Sequence, residues 1–205
     1  MLNNNGTLRN YGTLENYAGG TINGTGTYTQ DEGQTINNGS ITQALLDIRG
    51  GSLSGIGTIT APVTLGSGAI LAPGNSTGTM TINGDFTSSG NLFFEIAGLG
   101  PGLYDVIDIN GKASFTSGTI EFDFINNYKP VIGNFWDFLF ADSIERWDAL
   151  RFTVNGLGFG LGWEIDDITG GERLLITQAV PEPGILILLG ISMASVVGLR
   201  RWWKE

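Results

Sequence analysis

The sequence predicts an all-β protein: a right-handed parallel β-helix, or β-solenoid, with an aromatic-rich β cap, followed by a C-terminal transmembrane helix. Three observations lead to this prediction. Glycine makes up 33 of 205 residues and charged residues only 15%, a composition that favours short strands and tight turns over long helices. A short glycine phrase recurs through the first 120 residues. An uncharged apolar stretch, followed by basic residues, stands near the end.

The recurring phrase is a glycine, then a threonine or serine, then an apolar residue. It occurs at Gly6-Thr7-Leu8, Gly12-Thr13-Leu14, Gly20-Thr21-Ile22, Gly26-Thr27-Tyr28, Gly39-Ser40-Ile41, Gly51-Ser52-Leu53, Gly57-Thr58-Ile59, Gly78-Thr79-Met80 and Gly118-Thr119-Ile120. Each phrase predicts a turn followed by a short strand with one inward apolar side chain. Because one such strand cannot bury its own face, successive coils must stack. With about 20 residues per coil, 1–120 gives about six coils. A twisted antiparallel sandwich is the alternative.

Asparagine precedes glycine at five positions: Asn5, Asn23, Asn38, Asn83 and Asn110. Asparagine tolerates the left-handed backbone conformation of turns better than most residues. Asparagines that recur from coil to coil can also bond to one another through their side chains. We therefore expect left-handed turns and asparagine ladders at these positions.

Between 121 and 179 the repeats fade and large aromatic residues concentrate, as expected of a cap over an open solenoid end. Strands are predicted at 119–125, 135–141, 151–155, 161–166 and 173–178, with a Gly170-Gly171 turn between the last two. A short helix is predicted from Ser143 to Leu150, with Ser143 as N-cap. Core packing is the expected role of most of the aromatic residues. Stacking on sugar rings is the alternative, with Trp147 as the exposed candidate.

The stretch 184–199 carries no charge. At 1.5 Å per residue it is about 24 Å long, enough to span a thinned bilayer with the help of flanking residues. Arg200, Arg201 and Lys204 follow it, and such cations stay on the cytoplasmic side. The segment before residue 180 is therefore expected outside the membrane. A buried helix of a globular domain is the alternative, but it leaves the basic residues unexplained.

Val180, Pro181, Glu182 and Pro183 precede the apolar stretch, and the two prolines keep this segment extended. The order of Val-Pro-Glu-Pro, an apolar stretch and Arg-Arg over 180–205 resembles the PEP-CTERM sorting signal of exported bacterial proteins. The resemblance implies processing at the Val180 to Pro183 motif by an exosortase-like protease or transpeptidase. It also implies a host that makes exopolysaccharide or biofilm matrix.

A second resemblance covers about 60 residues and begins at Ile70-Leu71-Ala72-Pro73-Gly74-Asn75-Ser76-Thr77-Gly78-Thr79-Met80. It continues through Leu92 to Ile96, Tyr104 to Ile109 and Gly118 to Phe122. These segments are similar to the β-helix repeats of autotransporter passenger domains. The resemblance implies the solenoid fold and does not indicate a ligand. Unlike an autotransporter, the sequence has no room for a translocating barrel.

The sequence contains neither cysteine nor histidine, which excludes disulfides, the usual zinc sites and Ser-His-Asp or Cys-His catalysis. Two carboxylate pairs, Asp105 with Asp108 and Asp166 with Asp167, suit calcium or glycoside hydrolysis by residue type. We expect neither pair to be catalytic, because the first falls in passenger-like repeats and the other is typical of a turn. No catalytic residue, metal site or cofactor is predicted.

The sequence therefore predicts three regions: solenoid repeats at 1–120, a β-rich cap at 121–179 and a sorting tail at 180–205. The expected function is that of an exported, non-catalytic structural or adhesive protein. It would be anchored in the inner membrane before processing and then reach the cell surface or matrix. Expected partners are the membrane, an exosortase-like enzyme and exopolysaccharide. The net charge of −10 argues against nucleic-acid binding. A carbohydrate-binding module and a polysaccharide-degrading β-helix enzyme remain alternatives. The N-terminus lacks the features of a signal peptide, so we expect an incomplete gene product.

Overall fold

The computed structural model describes residues 1–179. Strands make up 63% of it and helix 2%, and most strand pairs are parallel. The prediction of an all-β, parallel architecture is confirmed, and the pairing is consistent with a solenoid. The antiparallel sandwich is not what forms.

Seventeen strands form seven layers with three faces. The first two layers are β1 (Leu2–Asn3), β2 (Thr7–Asn10), β3 (Thr13–Asn16), β4 (Thr21–Asn23), β5 (Thr27–Gln30) and β6 (Gln34–Asn37). The next three are β7 (Ser40–Thr42), β8 (Leu45–Gly55), β9 (Thr58–Thr60), β10 (Val63–Pro73), β11 (Thr79–Asn83), β12 (Phe86–Ser88) and β13 (Asn91–Ile96). The last two are β14 (Val106–Phe115), β15 (Thr119–Phe124), β16 (Phe135–Glu145) and β17 (Arg151–Asn155). The long strands β8, β10, β14 and β16 each bend around a corner and contribute to two faces.

Each layer pairs in parallel with the layer before it, in a register that repeats about once per coil. Thr7 lies beside Thr27 and Thr13 beside Gln34, so the first coils are 20 or 21 residues long, as the repeats predict. Later coils are longer, because Thr119 pairs with Arg151. The sixth layer ends with β15, which agrees with about six coils up to residue 120.

The core is built of columns in which equivalent residues of successive layers stack. One column contains only isoleucine over five layers: Ile22, Ile41, Ile59, Ile82 and Ile109. These side chains are at most 5% exposed. Seven of the nine phrase residues predicted to point inward are buried, and the other two, Leu8 and Leu14 in the first layer, are half-buried. The sequence pattern therefore identified the interior correctly.

The asparagines that precede glycine behave differently from the prediction. None of the five has a positive φ; at two of these turns the following glycine has it instead, with φ of 140° at Gly24 and 150° at Gly84. Only one pair forms a ladder, in which Asn110 Nδ2 donates to Asn83 Oδ1 at 2.8 Å. Glycine takes the left-handed positions because it has no Cβ to clash there.

Other amides, buried inside the first coils, form side-chain bonds between layers. Asn16 Nδ2 donates to Asn37 Oδ1 at 2.8 Å, and Asn4 Nδ2 donates to Gln43 Oε1 at 2.6 Å. These residues lie at or near the corners, where an amide can satisfy both a neighbouring side chain and a backbone carbonyl. Stacked amides therefore exist, but not at the predicted positions.

Parallel stacking continues beyond residue 120, because β14 pairs with β16 and β15 with β17. The change to antiparallel pairing comes later, with β18 (Leu161–Ile168) and β19 (Gly171–Gln178). This hairpin folds back so that β19 pairs with the first half of β16. The predicted boundary at 120 therefore does not coincide with the change in pairing.

The helix predicted from Ser143 to Leu150 is wrong for its first half. Ser143 and Glu145 belong to β16, which pairs with β14 as far as Ser114 and Glu145, and only a 3₁₀ turn, Trp147–Ala149, follows. Pairing with the layer below outweighs the local N-cap signal of Ser143. The predicted turn at Gly170-Gly171 is displaced by one residue, since Gly171 is already in β19 opposite Ile168.

The large aromatic residues of the distal part mostly pack in the core, as predicted. Phe122 stacks on Phe94 at 5.5 Å between ring centroids and meets Phe138 edge-on at 4.7 Å. The buried Trp136 ring donates its Nε1 hydrogen to Gly98 O at 2.7 Å. Phe135 and Phe159 are the exceptions and are exposed.

Within 1–179 no helix is long and apolar enough to cross a membrane. The predicted helix at 184–199 lies outside the described residues. The same holds for the motif Val180, Pro181, Glu182 and Pro183 and for the basic residues Arg200, Arg201 and Lys204.

Candidate functional site

The first carboxylate pair considered from the sequence is not a pair in space. Asp105 immediately precedes β14 and is buried, whereas Asp108, three residues on, is half-buried on the alternate face of that strand. Successive side chains of a strand point to opposite sides. These two carboxylates therefore do not share a site.

Asp105 instead holds two segments of backbone together. Its Oδ1 accepts a hydrogen bond from Gly78 N at 2.9 Å, and its Oδ2 accepts one from Glu95 N at 2.8 Å. Burial raises the pKa of Asp105 to about 8, although these two bonds favour the ionised form. Its role is structural, because both of its oxygens are already occupied.

A pocket lies at the open end of the last coil, beside the hairpin. Its volume is about 650 Å³, within the range of about 300–1,000 Å³ that is usual for small-molecule sites. The second half of β16, the 3₁₀ turn and the β18–β19 turn form its walls. The polar and aromatic residues that line it are Asp142, Ser143, Trp147, Asp148, Asp167 and Glu172.

Glu172 and Asp167 face each other across the hairpin. They are direct partners in the β18–β19 register, next to the pairs Ile165 with Leu174 and Trp163 with Ile176. Because cross-strand partners lie on the same side of a sheet, the two carboxyl groups continue an apolar row that faces the core. Glu172 is 3% exposed, while Asp167 is exposed at the pocket mouth.

The surroundings of Glu172 favour its neutral form. Burial, together with a hydrogen bond to Asp167 and the charge of that residue, raises the pKa of Glu172 to about 8. Its Oε2 has no hydrogen-bond partner among the described residues. A buried oxygen without a partner is costly, so this atom is available to a donor that enters the pocket.

Trp147, the aromatic candidate from the sequence, contributes to the pocket wall but is not fully exposed. Its ring lies edge-on to Phe115 at 5.4 Å and close to Phe152 at 5.2 Å. The side chain is half-buried against the core. The prediction of a fully exposed tryptophan is wrong, but the part of the ring outside the core borders the pocket.

The chemistry open to this pocket follows from its carboxyl groups. Carboxyl groups that share a hydrogen bond are closer than the separation of about 5 Å or more that glycoside hydrolysis requires. Within residues 1–179 no cluster of three or more acidic side chains has a geometry suited to a metal ion. The arrangement is suited to binding a ligand that brings its own hydrogen-bond donors.

Sequence reasoning considered Asp167 but not Glu172. With a turn at Gly170-Gly171, Asp167 would pair with Leu174; the observed turn at Thr169-Gly170 pairs it with Glu172 instead. The missed signal was the glutamate at a position where alternation with Leu174 and Ile176 calls for an apolar residue. The other pair from the sequence, Asp166 with Asp167, lies on β18, and Asp166 is opposite Arg173.

No protein-family model matches the chain, and no curated protein matches it.

Proposed function

We propose that the protein is an exported, non-catalytic structural or adhesive protein of the cell surface or extracellular matrix. The observation that carries this proposal is the tail at 180–205, which combines the Val-Pro-Glu-Pro motif, an apolar stretch and a basic end. In this proposal the tail is a PEP-CTERM-type sorting signal. The helix at 184–199 anchors the precursor in the inner membrane until an exosortase-like enzyme acts on the motif.

The architecture of the body supports a structural role. Stacked coils give an extended, repetitive surface, and each added layer buries its neighbour's face. We propose that the coils wind to the right, because connections between parallel strands do so in nearly all proteins. The passenger-like repeats fit the same role, and the distal aromatic residues with the β18–β19 hairpin form the cap of the solenoid.

The carboxylates of the body support a non-catalytic role. Asp105 is occupied by two backbone donors, and Glu172 and Asp167 are too close for hydrolysis of a glycosidic bond. The proposed partners are therefore the membrane, the sorting enzyme and exopolysaccharide, without a cofactor and without nucleic acid. The acidic sequence, with a net charge of −10, would be repelled by phosphates.

The proposal is tested by following the mass of the protein in its host. We expect the wild type to lose its tail, whereas Pro181→Ala and Glu182→Ala leave it uncut and membrane-bound. Gln178→Ala, just before the motif, is the matched control and should be processed normally. One mature mass for all four proteins, or an intact chain found free in the cytosol, would contradict the proposal.

Carbohydrate binding is a second candidate function, favoured by the ring of Trp147 in the wall of the pocket. In this case Trp147→Ala should weaken retention of the protein on host polysaccharide. Polysaccharide degradation is the third candidate. It is tested by an assay for reducing ends and unsaturated products on the same polymer, in which we expect no signal.

A further inference from the structure

The position of Glu172 calls for an explanation beyond the fold. On the inner face of β19 it precedes Leu174 and Ile176, where an apolar side chain would be buried without cost. Glu172 is 3% exposed, and its Oε2 is unpartnered within the described chain. Inward charges protect the edges of some sheets from association, but β19 is paired on both sides, with β16 and β18. Edge protection therefore does not account for Glu172.

The charge of the pocket restricts what it can bind. Four carboxyl groups line it, from Asp142, Asp148, Asp167 and Glu172, while no lysine or arginine of residues 1–179 does. Carboxylates gathered around a concave site attract cations and repel anions. Uronic acids, phosphates and sulfates are therefore disfavoured, and a positively charged ligand is favoured.

An organic ammonium fits this pocket better than a metal ion. Calcium requires six to eight oxygen ligands, and the described residues contain no cluster suited to a metal. An ammonium group has three donors and can use the free Oε2 of Glu172 together with the exposed carboxylate of Asp167. The volume of about 650 Å³ leaves room for the body of the ligand next to Trp147.

We infer that the pocket binds an amino sugar, whose ammonium group contacts Glu172 and Asp167 and whose ring lies against Trp147. The ammonium part of this inference stands on the geometry alone. The sugar part rests on the proposed function at the cell surface, where the polymers within reach are polysaccharides. An amino sugar without an acetyl group on its nitrogen is the required form, because acetylation removes the charge.

Binding is expected to release a proton. In the free protein Glu172 is largely protonated at neutral pH, since its pKa is raised to about 8 by burial and by Asp167. An ammonium group placed beside it favours the ionised form. Binding below pH 8 therefore displaces a proton from Glu172, and binding that involves only surface carboxylates does not.

The test is calorimetric titration of the full chain, in mild detergent because of its apolar tail. The ligands are the β-1,4-linked disaccharide of glucosamine, its di-N-acetyl form, galacturonic acid, lysine amide and calcium chloride. We expect binding of the glucosamine disaccharide alone, with a heat at pH 6.5 that depends on the ionisation enthalpy of the buffer. Equal binding of the acetylated sugar or of calcium would overturn the inference, and equal binding of lysine amide would overturn its sugar part.

Glu172→Gln keeps the shape of the side chain and removes its charge. We expect it to weaken binding at least about tenfold, the effect of one charge-assisted hydrogen bond, and to abolish proton release. Glu164→Gln is the control, since Glu164 is exposed on the alternate face of β18; its binding should be unchanged. Unaltered affinity in Glu172→Gln would refute the site. This result is independent of tail processing, so failure here and failure of the proposed sorting are distinguishable.

Discussion

Asp105 allows the role of a single buried carboxyl group in the fold to be measured. The substitution Asp105→Ala removes the acceptor of the Gly78 and Glu95 N–H groups. The Gly78 bond is buried and the Glu95 bond half-buried, so neither N–H is fully compensated by water. The variant should lose the attachment between the Gly74 to Gly78 turn and strand β13.

The expected cost is about 3 kcal/mol, with about 2 for the buried N–H and about 1 for the half-buried N–H. For a chain of this size the midpoint of thermal unfolding should fall by about 6–12 °C. Circular dichroism during heating measures it. Asp108→Ala is the matched control on the other face of the same strand and should change the stability by less than about 0.5 kcal/mol.

The pH dependence provides a second check on Asp105. Its folded pKa of about 8 lies above its ordinary value of 3.8, so its contribution is fully present below 3.8 and is lost as the pH rises through 8. The advantage of the wild type over Asp105→Ala should therefore be larger at pH 5 than at pH 9. Equal stabilities of the two proteins at pH 5, with the same strand content, would refute this reasoning.

Two further predictions concern the distal part of the chain. Phe122→Ala should destabilise the protein by about 3–5 kcal/mol, because the ring is fully buried between Phe94 and Phe138; in urea unfolding, the exposed Phe159→Ala is the control, and a similar loss in both would count against the assignment. Glu172 also has a raised folded pKa, about 8 against 4.5, so stability should fall as the pH rises from 5 to 9. Glu172→Gln should reduce that fall without removing the Asp105 share, and an unchanged pH profile would contradict it.

The solenoid could be predicted from the sequence because its signal is repeated. The glycine phrase marks both a corner and the inward residue after it, so Ile22, Ile41 and Ile59 could be identified as core without knowledge of their neighbours. Each layer independently repeats the same pattern. One ambiguous turn therefore does not obscure the whole.

The helix at Ser143 and the pocket could not be predicted in the same way, because each depends on a single register. Ser143 has the features of an N-cap, yet its backbone pairs with Lys112 of the layer below, and local sequence does not contain that partner. The site required the hairpin turn to be placed to within one residue. With Thr169-Gly170 as the turn Asp167 meets Glu172, and with a turn one residue later it meets Leu174.

The unequal lengths of the coils have a consequence for how such a chain can change. Register offsets rise from 20 between Thr7 and Thr27 to 32 between Thr119 and Arg151, while the isoleucine column between those layers stays in line. The added residues are accommodated at the corners, which can lengthen one residue at a time. A single insertion within a face would instead turn its inward side chains to solvent. New loops, and with them new binding properties, can therefore arise at the corners of this solenoid while its interior stays constant.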